Sequence, residues 1–213
     1  MPQPSGEGHL HFFKIIFHFI DTYINLTQKQ NLVDNTKTLY IWNARNQLIK
    51  VEKQDDANVT VKTLEFNYDA LGRRVSKTIN GVTQNYLYDR DNIIAILDDN
   101  SNPISIITHD ESVDTPLAIR TDNQSYFYQR DHQGSILNLT DQNQNKVEEY
   151  LYTDAYGTTQ KTQTLQTNNP YAYTARELDD TDLYYYRARY YDPTTQRFLS
   201  PDPIGFNSGD FNF

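Results

Sequence analysis

The chain has 213 residues, of which 37% are hydrophobic and 17 are Tyr, so we expect buried aromatic rings with polar tips rather than a thick aliphatic core. The net charge of −9, without clustered Lys or Arg, argues against a nucleic-acid-binding surface. With no Cys, the sequence excludes disulfides, thiolate zinc sites and a cysteine nucleophile.

Residues 1–38 form an N-terminal segment whose role the sequence leaves open. Its apolar run, residues 9–20, is interrupted by Lys14 and followed by Asp21. The run is too short and too polar to cross a bilayer, and no basic residue precedes it as in a signal peptide. We therefore expect no membrane span and no recognisable signal peptide, and a short helix or strand at the run.

A short unit recurs from residue 39 to about residue 165 and once more beyond it. Each unit has two aromatic residues one position apart, a turn rich in Asp, Asn and Gly, and a β-branched strand. Tyr68 and Tyr88 are 20 residues apart, and Tyr128 and Tyr152 are 24 apart. This period predicts a repeat array. The aromatic members lie at residues 40–43, 66–69, 86–89, 126–129, 150–153 and 171–174.

Each unit is predicted to be a β-hairpin. Two rings one residue apart fall on the same face of a strand, and Asp69 after the second ring can start a turn through its own carboxylate. Gly72 can adopt the left-handed conformation that closes this turn, and Asn80 followed by Gly81 is a strong signal for the next one. Because a single hairpin is unstable, we predict an all-β fold of stacked antiparallel hairpins.

Residues 66–77 resemble the YD repeat, through Tyr68, Asp69, Gly72 and Arg73. Residues 166–213 contain Tyr-Tyr-Tyr-Arg-Ala-Arg-Tyr-Tyr-Asp-Pro followed by Arg-Phe-Leu-Ser-Pro-Asp-Pro-Ile-Gly. This segment is similar to the repeat-associated core that ends the shell of bacterial Rhs proteins and of Tc-toxin C components. The matching positions are Tyr186, Arg187, Tyr190, Tyr191, Asp192, Pro193, Arg197, Phe198, Pro201, Pro203 and Gly205.

The resemblance implies a fragment of a hollow β shell that encloses a C-terminal toxin, with residues 166–213 as a plug at one end. The implied partners are the rest of an Rhs shell and the encapsulated toxin, in a bacterial protein that is secreted or exported. No cofactor is implied. In this family the core also acts as an aspartyl self-protease.

Two residues match the family's protease site: Arg189 its arginine and Asp202 its first aspartate. The second aspartate belongs to an Asp-Pro-x-Gly-Leu motif that would follow Phe213, and aspartyl proteolysis requires two carboxyl groups. We therefore expect a truncated core with self-cleavage lost. The structural alternative makes Arg189 a strand ion-pair partner and Asp202 a turn starter.

Two positions depart from the family pattern, since Ala175 and Gln196 stand where the family usually has Gly. If either position requires a positive φ, its turn is strained.

The sequence also leaves other functions open. Exposed Tyr rows would suit a module that binds carbohydrate or a partner protein, and a freestanding hydrolase using Asp202 is the least supported reading. The spacing of the five His residues predicts no metal site. His132 is interpreted as part of a turn that Asp131 starts and Gly134 closes.

Overall fold

A computed structural model of the chain describes residues 13–20, 23–165, 167–180 and 182–203, with the backbone alone for residues 17–20, 23 and 24. These residues form two antiparallel sheets and a single 3-10 turn, so the predicted all-β fold is confirmed. No helix in this part of the chain is long and apolar enough to cross a membrane.

The large sheet has fourteen strands whose order in the sheet is their order in the chain. Every strand pairs antiparallel with the next, as the predicted stack of hairpins requires. The strands are β1 (Phe13–Ile20), β2 (Tyr23–Asn31), β3 (Lys37–Trp42), β4 (Leu48–Gln54), β5 (Thr60–Tyr68), β6 (Arg74–Ile79), β7 (Val82–Asp89), β8 (Asn92–Leu97), β9 (Pro103–His109), β10 (Pro116–Thr121), β11 (Gln124–Arg130), β12 (Ile136–Thr140), β13 (Lys146–Tyr152) and β14 (Thr159–Gln163).

The N-terminal apolar run contributes a strand to this sheet. β1 pairs with β2, and β2 pairs with β3 through Gln28 and Leu39. The hydrogen-bonded ladder therefore crosses residue 38 without a break, while the division of the chain into residues 1–38, 39–165 and 166–213 stays a prediction.

The small sheet lies in the C-terminal part and has four short strands in chain order. A 3-10 turn, Tyr173–Ala175, precedes them. The strands are β15 (Glu177–Leu178), β16 (Tyr184–Tyr185), β17 (Tyr190–Asp192) and β18 (Arg197–Phe198).

The last Tyr-x-Tyr unit, residues 171–174, was wrongly predicted to be another hairpin of the array. Tyr171 makes only an isolated bridge to Glu177, and Tyr173 starts the 3-10 turn. The physical reason is packing: the Tyr171 ring contacts Tyr128 at 6.3 Å and the Tyr173 ring contacts Tyr152 at 5.6 Å between centroids. The segment therefore lies across the large sheet instead of extending it.

One face of the large sheet carries the aromatic rings. Within each aromatic pair of the large sheet the first ring is buried, whereas the middle residue is exposed, as for Leu87 and Leu151. This alternation confirms that the paired rings share a face. We call it the tyrosine face; its buried rings include Tyr40, Phe66, Tyr86, Tyr126, Tyr128 and Tyr150.

One turn geometry recurs between the strands. Asp69 Oδ1 accepts hydrogen bonds from the backbone N–H groups of Leu71 and Arg73, both at 2.9 Å, and Gly72 has φ 86°. The predicted turn is thus confirmed, as are the turns at Asn80–Gly81 and at Asp131. The same pair of side-chain bonds also forms at Asn43, Asp55, Asp98, Asp131, Asp141 and Asp154.

Candidate functional site

Residues 167–180 and 182–203, which we call the C-terminal segment, lie on the tyrosine face. Leu183, Tyr185, Tyr190 and Leu199 share one buried cluster with rings of β3 and β5. Tyr171, Ala172, Ala175 and Tyr184 pack in a second cluster with residues of β7 to β13. The segment therefore covers the aromatic side of the wall and brings its own polar groups against buried strands.

The start of the segment is held by a buried carboxylate on β13. Glu148 is 1% exposed and accepts hydrogen bonds from the hydroxyls of Thr167 and Tyr150, and it pairs with Lys161. Next to it, Asn169 donates to the Tyr150 hydroxyl at 2.7 Å. A buried, fully partnered network of this kind orients the chain where it turns onto the sheet.

The middle of the segment is joined to the wall by a buried cluster of charges around Arg74 on β6. The Arg74 side chain is 0% exposed, and it pairs with Glu177 and Asp179, both at 2.5 Å. Lys77 reaches Asp179 at 3.0 Å. The guanidinium also lies 4.4 Å from the centre of the Tyr185 ring. Since each charge has an opposite partner, the cluster can remain ionised inside the core.

The two carboxyl groups of this cluster titrate differently. Burial raises the pKa of Glu177, and attraction to Arg74 only partly offsets this effect. Burial also acts to raise the pKa of Asp179, but Arg74 and Lys77 together hold it below its ordinary value. Asp179 is therefore the firmly ionised partner of the two cations.

Sequence reasoning missed Arg74, Glu177 and Asp179, although it singled out the neighbouring Arg73. The signal was the strand alternation. Arg73 precedes β6 and its Nε pairs with Asp69 at 2.8 Å at the turn, so Arg74 opens the strand pointing inward with Ser76. An inward-pointing charge in a strand requires an opposite charge from elsewhere in the chain, which only the folded structure can identify.

Arg189 and Asp202, the predicted protease residues, are brought together. Arg189 Nη2 lies 2.7 Å from Asp202 Oδ2, and both side chains are partly exposed. The guanidinium stacks 3.7 Å from the centre of the Phe198 ring. Upstream, a tight turn fixes the backbone, since Tyr186 N–H donates to the Arg189 carbonyl at 2.8 Å and Arg187 has φ 61°. This geometry fits both a half-site and a structural ion pair.

The other predicted motif residues have mainly packing and turn roles. Tyr186, Tyr191 and Phe198 form a cluster of edge-to-face rings beneath Arg189. Tyr190 is 2% exposed, and its hydroxyl meets that of Tyr68 at 3.1 Å.

Asp192 accepts a hydrogen bond from Thr194 N–H at 2.9 Å and pairs with Lys29 at 2.6 Å, which ties the segment to β2. Pro193 follows it in the turn, Arg197 opposes it in β18, and Gly205 lies outside the described residues.

Both positions where the family usually has Gly adopt left-handed backbone. Ala175 has φ 53° and Gln196 has φ 59°. The condition for local strain is therefore met at both turns.

A cavity of about 570 Å³ lies between the wall turns and the C-terminal segment. It is lined by the turns at residues 44–47 and 71–73, by Tyr88, Tyr171 and Tyr185, and by residues adjoining the protease pair. No group of three or more acidic or His side chains in the described ranges could hold a metal ion.

Antiparallel hairpins that follow one another in chain order form a single sheet, and its aromatic face is covered by the C-terminal segment. This arrangement is that of a β-shell protein. The family model for the teneurin YD-shell matches residues 15–209. The chain belongs to the YD-shell family, and the predicted relationship to Rhs and Tc-toxin YD-repeat proteins is confirmed.

Among curated relatives, the chain is 32% identical over 195 residues to the tRNA nuclease WapA of Bacillus subtilis, covering 89% of this chain and 8% of that protein. It is 26% identical to the toxin subunit YenC1 of Yersinia entomophaga, covering 89% of this chain and 22% of YenC1. The crystal structure of TcdB2-TccC3 shares the fold, with a TM-score of 0.60 at 19% identity, covering 91% of this chain and 12% of that one. The chain thus spans a small part of each relative.

Proposed function

We propose that the chain is a wall and plug section of a β shell that encloses a toxin polypeptide, within a bacterial protein that is exported. The observation that carries this proposal is the covered tyrosine face. The C-terminal segment is joined to β6 through Arg74 and to β2 through Lys29, so the inner lining and the wall form one packed unit. A segment fixed inward in this way can close a hollow shell.

Limited proteolysis of the full-length gene product tests whether the shell encloses a polypeptide. The polypeptide encoded downstream of this chain should resist a nonspecific protease while the shell is native. The Arg74→Ala shell should lose that resistance, because the segment is released. Arg120→Ala, an exposed position on β10, is the matched control and should protect like the wild type. Equal digestion of the downstream polypeptide in the native shell and in its unfolded form would reject enclosure.

Arg189 and Asp202 are proposed to form one half of a self-cleavage site. In aspartyl proteolysis one carboxylate takes a proton from water, and the water oxygen bonds to the peptide carbonyl carbon. A second, protonated carboxyl group donates its proton, so that the C–N bond breaks and the amine leaves. Asp202 Oδ2 lies 2.7 Å from Arg189 Nη2, so an arginine is in place beside the carboxylate that would act as the base. The second carboxyl would come from downstream sequence.

Gel analysis of the full-length gene product tests this half-site. The wild type should appear as two fragments and Asp202→Asn as one intact band. Asp180→Asn removes an exposed carboxylate that pairs with Lys62, and it should cleave normally. The 213-residue chain alone should stay intact. An uncut wild type of full length would end the self-protease proposal.

The alternative of a carbohydrate- or partner-binding surface depended on exposed Tyr rows. The rings of the tyrosine face are buried under the C-terminal segment, so no contact in the described structure favours it.

A further inference from the structure

The face of the large sheet opposite the tyrosine face changes character along the chain. Over β4 to β7 it carries polar pairs, as expected for an antiparallel sheet that meets water on one side. Directly opposed residues there contact each other, namely Lys50 with Glu65, Asn67 with Ser76, and Thr78 with Thr83. From Leu87 on β7 to Phe127 on β11, the same face is mainly apolar.

This apolar region is continuous across the strands, and we call it the outer patch. Leu87, Ile106 and Phe127 are 36% to 50% exposed, although the residues on either side of each face the buried side of the sheet. The patch comprises Leu87, which opposes Ala95, then Ile106, which also opposes Ala95, then Arg120, which opposes Ile106, and finally Ala118, which opposes Phe127. A contiguous apolar patch on an exposed face marks an interaction site.

Arg120 places one positive charge inside this patch. It is exposed on β10 between two buried residues, and its Cα partner on β9 is Ile106. Strands β8 to β11 place no other charged side chain on this face, since Arg130 alternates with Tyr128 onto the tyrosine face. Arg120 forms no ion pair with any residue that the structure describes. A surface that covers the patch must therefore supply a carboxylate, because burying an unpaired charge is unfavourable.

This requirement decides what kind of surface can cover the patch. A bilayer would have to receive the guanidinium among its acyl chains without an acidic partner. A second copy of this face would bring another Arg120 and no carboxylate. A different protein that combines apolar side chains with one acidic residue is complementary to it, and Arg is a frequent anchor in such interfaces.

The dimensions of the patch fit one α-helix. From β7 to β11 the patch crosses four strand spacings, about 19 Å in all. A helix of about 13 residues has this length, and its diameter of about 10 to 12 Å covers the two rows of the patch. Ala95 and Ala118 carry small side chains, so they leave room between Leu87, Ile106 and Phe127 for larger residues of a partner.

We propose that the outer patch is a docking site for an amphipathic helix of another protein, whose apolar side carries one carboxylate that pairs with Arg120. Such a helix would lay its apolar residues on the sheet, as in helix-in-groove recognition. The patch contains no Tyr and lies on the face away from the C-terminal segment. It is therefore independent of the enclosure and the self-cleavage proposed above.

A binding experiment on the 213-residue chain tests this site. The probe is a capped, labelled 14-residue helical peptide of leucine, alanine and lysine, with one glutamate at the centre of its leucine face. Its partners in the test have glutamine at that position or a scrambled order. Fluorescence anisotropy is measured at a concentration where the chain sediments as a monomer. The glutamate peptide should bind at least tenfold more tightly than either of the others, and equal or absent binding would overturn the proposal.

Substitutions locate the bound peptide. Arg120→Glu should weaken the glutamate peptide at least tenfold and favour a peptide with lysine at the central position. Phe127→Thr should weaken the glutamate peptide at least tenfold. Arg45→Glu and Val59→Thr change an exposed charge and an exposed apolar residue at turns outside the patch, and neither should alter binding. Unchanged melting temperatures check that the variants are folded. Wild-type binding in both Arg120→Glu and Phe127→Thr would place the peptide elsewhere and overturn the assignment.

Two further measurements test the competing occupants. The chain should not cosediment with phosphatidylcholine vesicles. Vesicle binding that Phe127→Thr abolishes, without selection of the glutamate peptide, would assign the patch to a membrane surface and reject the helix. Self-association that Phe127→Thr abolishes would assign the patch to a second copy and reject it equally.

Discussion

Two residues, Ala175 and Gln196, adopt a left-handed backbone conformation that their side chains disfavour. Gln196, with φ 59°, is exposed, whereas Ala175, with φ 53°, is 1% exposed. A non-glycine residue in this region destabilises the fold by about 1 to 2 kcal/mol. Glycine avoids this strain, but it loses more backbone entropy on folding, which offsets part of the gain. A glycine substitution should therefore change the free energy of unfolding differently at the two positions.

Gln196→Gly is expected to raise the free energy of unfolding by about 0.5 to 1 kcal/mol, because it relieves the turn and removes no buried contact. Ala175→Gly should be close to neutral, since it loses a buried methyl group worth about 0.8 kcal/mol. Urea denaturation measures both. Gln129→Gly in β11 is the control and should destabilise. A destabilised Gln196→Gly variant would contradict the strain argument.

The turn aspartates predict how stability depends on pH. Backbone N–H donation from Asn102 lowers the pKa of Asp98, and side-chain donation from Asn145 lowers that of Asp141. A carboxyl group whose folded pKa lies below its unfolded value of about 3.9 contributes stability above that pH and loses it as the pH falls through the folded pKa.

The double variant Asp98→Ala, Asp141→Ala should therefore melt below the wild type at pH 6. The difference in melting temperature should shrink as the pH falls below about 4, because the wild-type turns also lose their charge there. Thermal melts at half-unit intervals from pH 6 to 2.5 measure it. A pH-independent difference would show that the carboxylate charge contributes nothing.

Among the elements, β6 connects the large sheet to the C-terminal segment, because its buried Arg74 and Lys77 pair with carboxylates of that segment. Glu177 and Asp179 reach this strand from more than a hundred positions away in the chain. Burying both carboxylates is favourable only while the cations of β6 are present.

Arg74→Ala is expected to lower the free energy of unfolding by about 3 to 5 kcal/mol, since it leaves buried carboxylates without their main partner. Adding Asp179→Asn to Arg74→Ala should recover part of that loss by removing a buried charge. Chemical denaturation of the two variants and of Asp179→Asn alone gives the coupling energy. Strictly additive effects would show that the pair does not interact.

For the whole molecule, the large sheet has two strands with only one partner among the described residues, β1 and β14. Unpaired backbone groups along a strand edge favour pairing with another chain. In a shell, neighbouring hairpins would supply those partners.

The isolated chain should therefore associate as its concentration rises. Sedimentation velocity over a hundredfold concentration range should show species larger than the monomer mass of 24.9 kDa. A monomer at every concentration, with a sharp thermal transition, would show that the edges of β1 and β14 do not pair with further strands.

The sequence by itself determined the strand content, the hairpin turns and the family, because these depend on contacts within about twenty residues. Ring alternation, an Asp that bonds the next N–H groups and a Gly at positive φ act locally and can be seen in the order of residues. The same local logic failed at Tyr171 and Tyr173, whose rings pack on strands far along the chain.

Only the tertiary structure decided which groups meet across the covered face. The partners of Arg74 and the pairing of Lys29 with Asp192 join the C-terminal segment to distant strands. Their energies depend on burial and on the loss of solvent screening, which exist only once the segment lies on the sheet. No spacing along the chain encodes that approach.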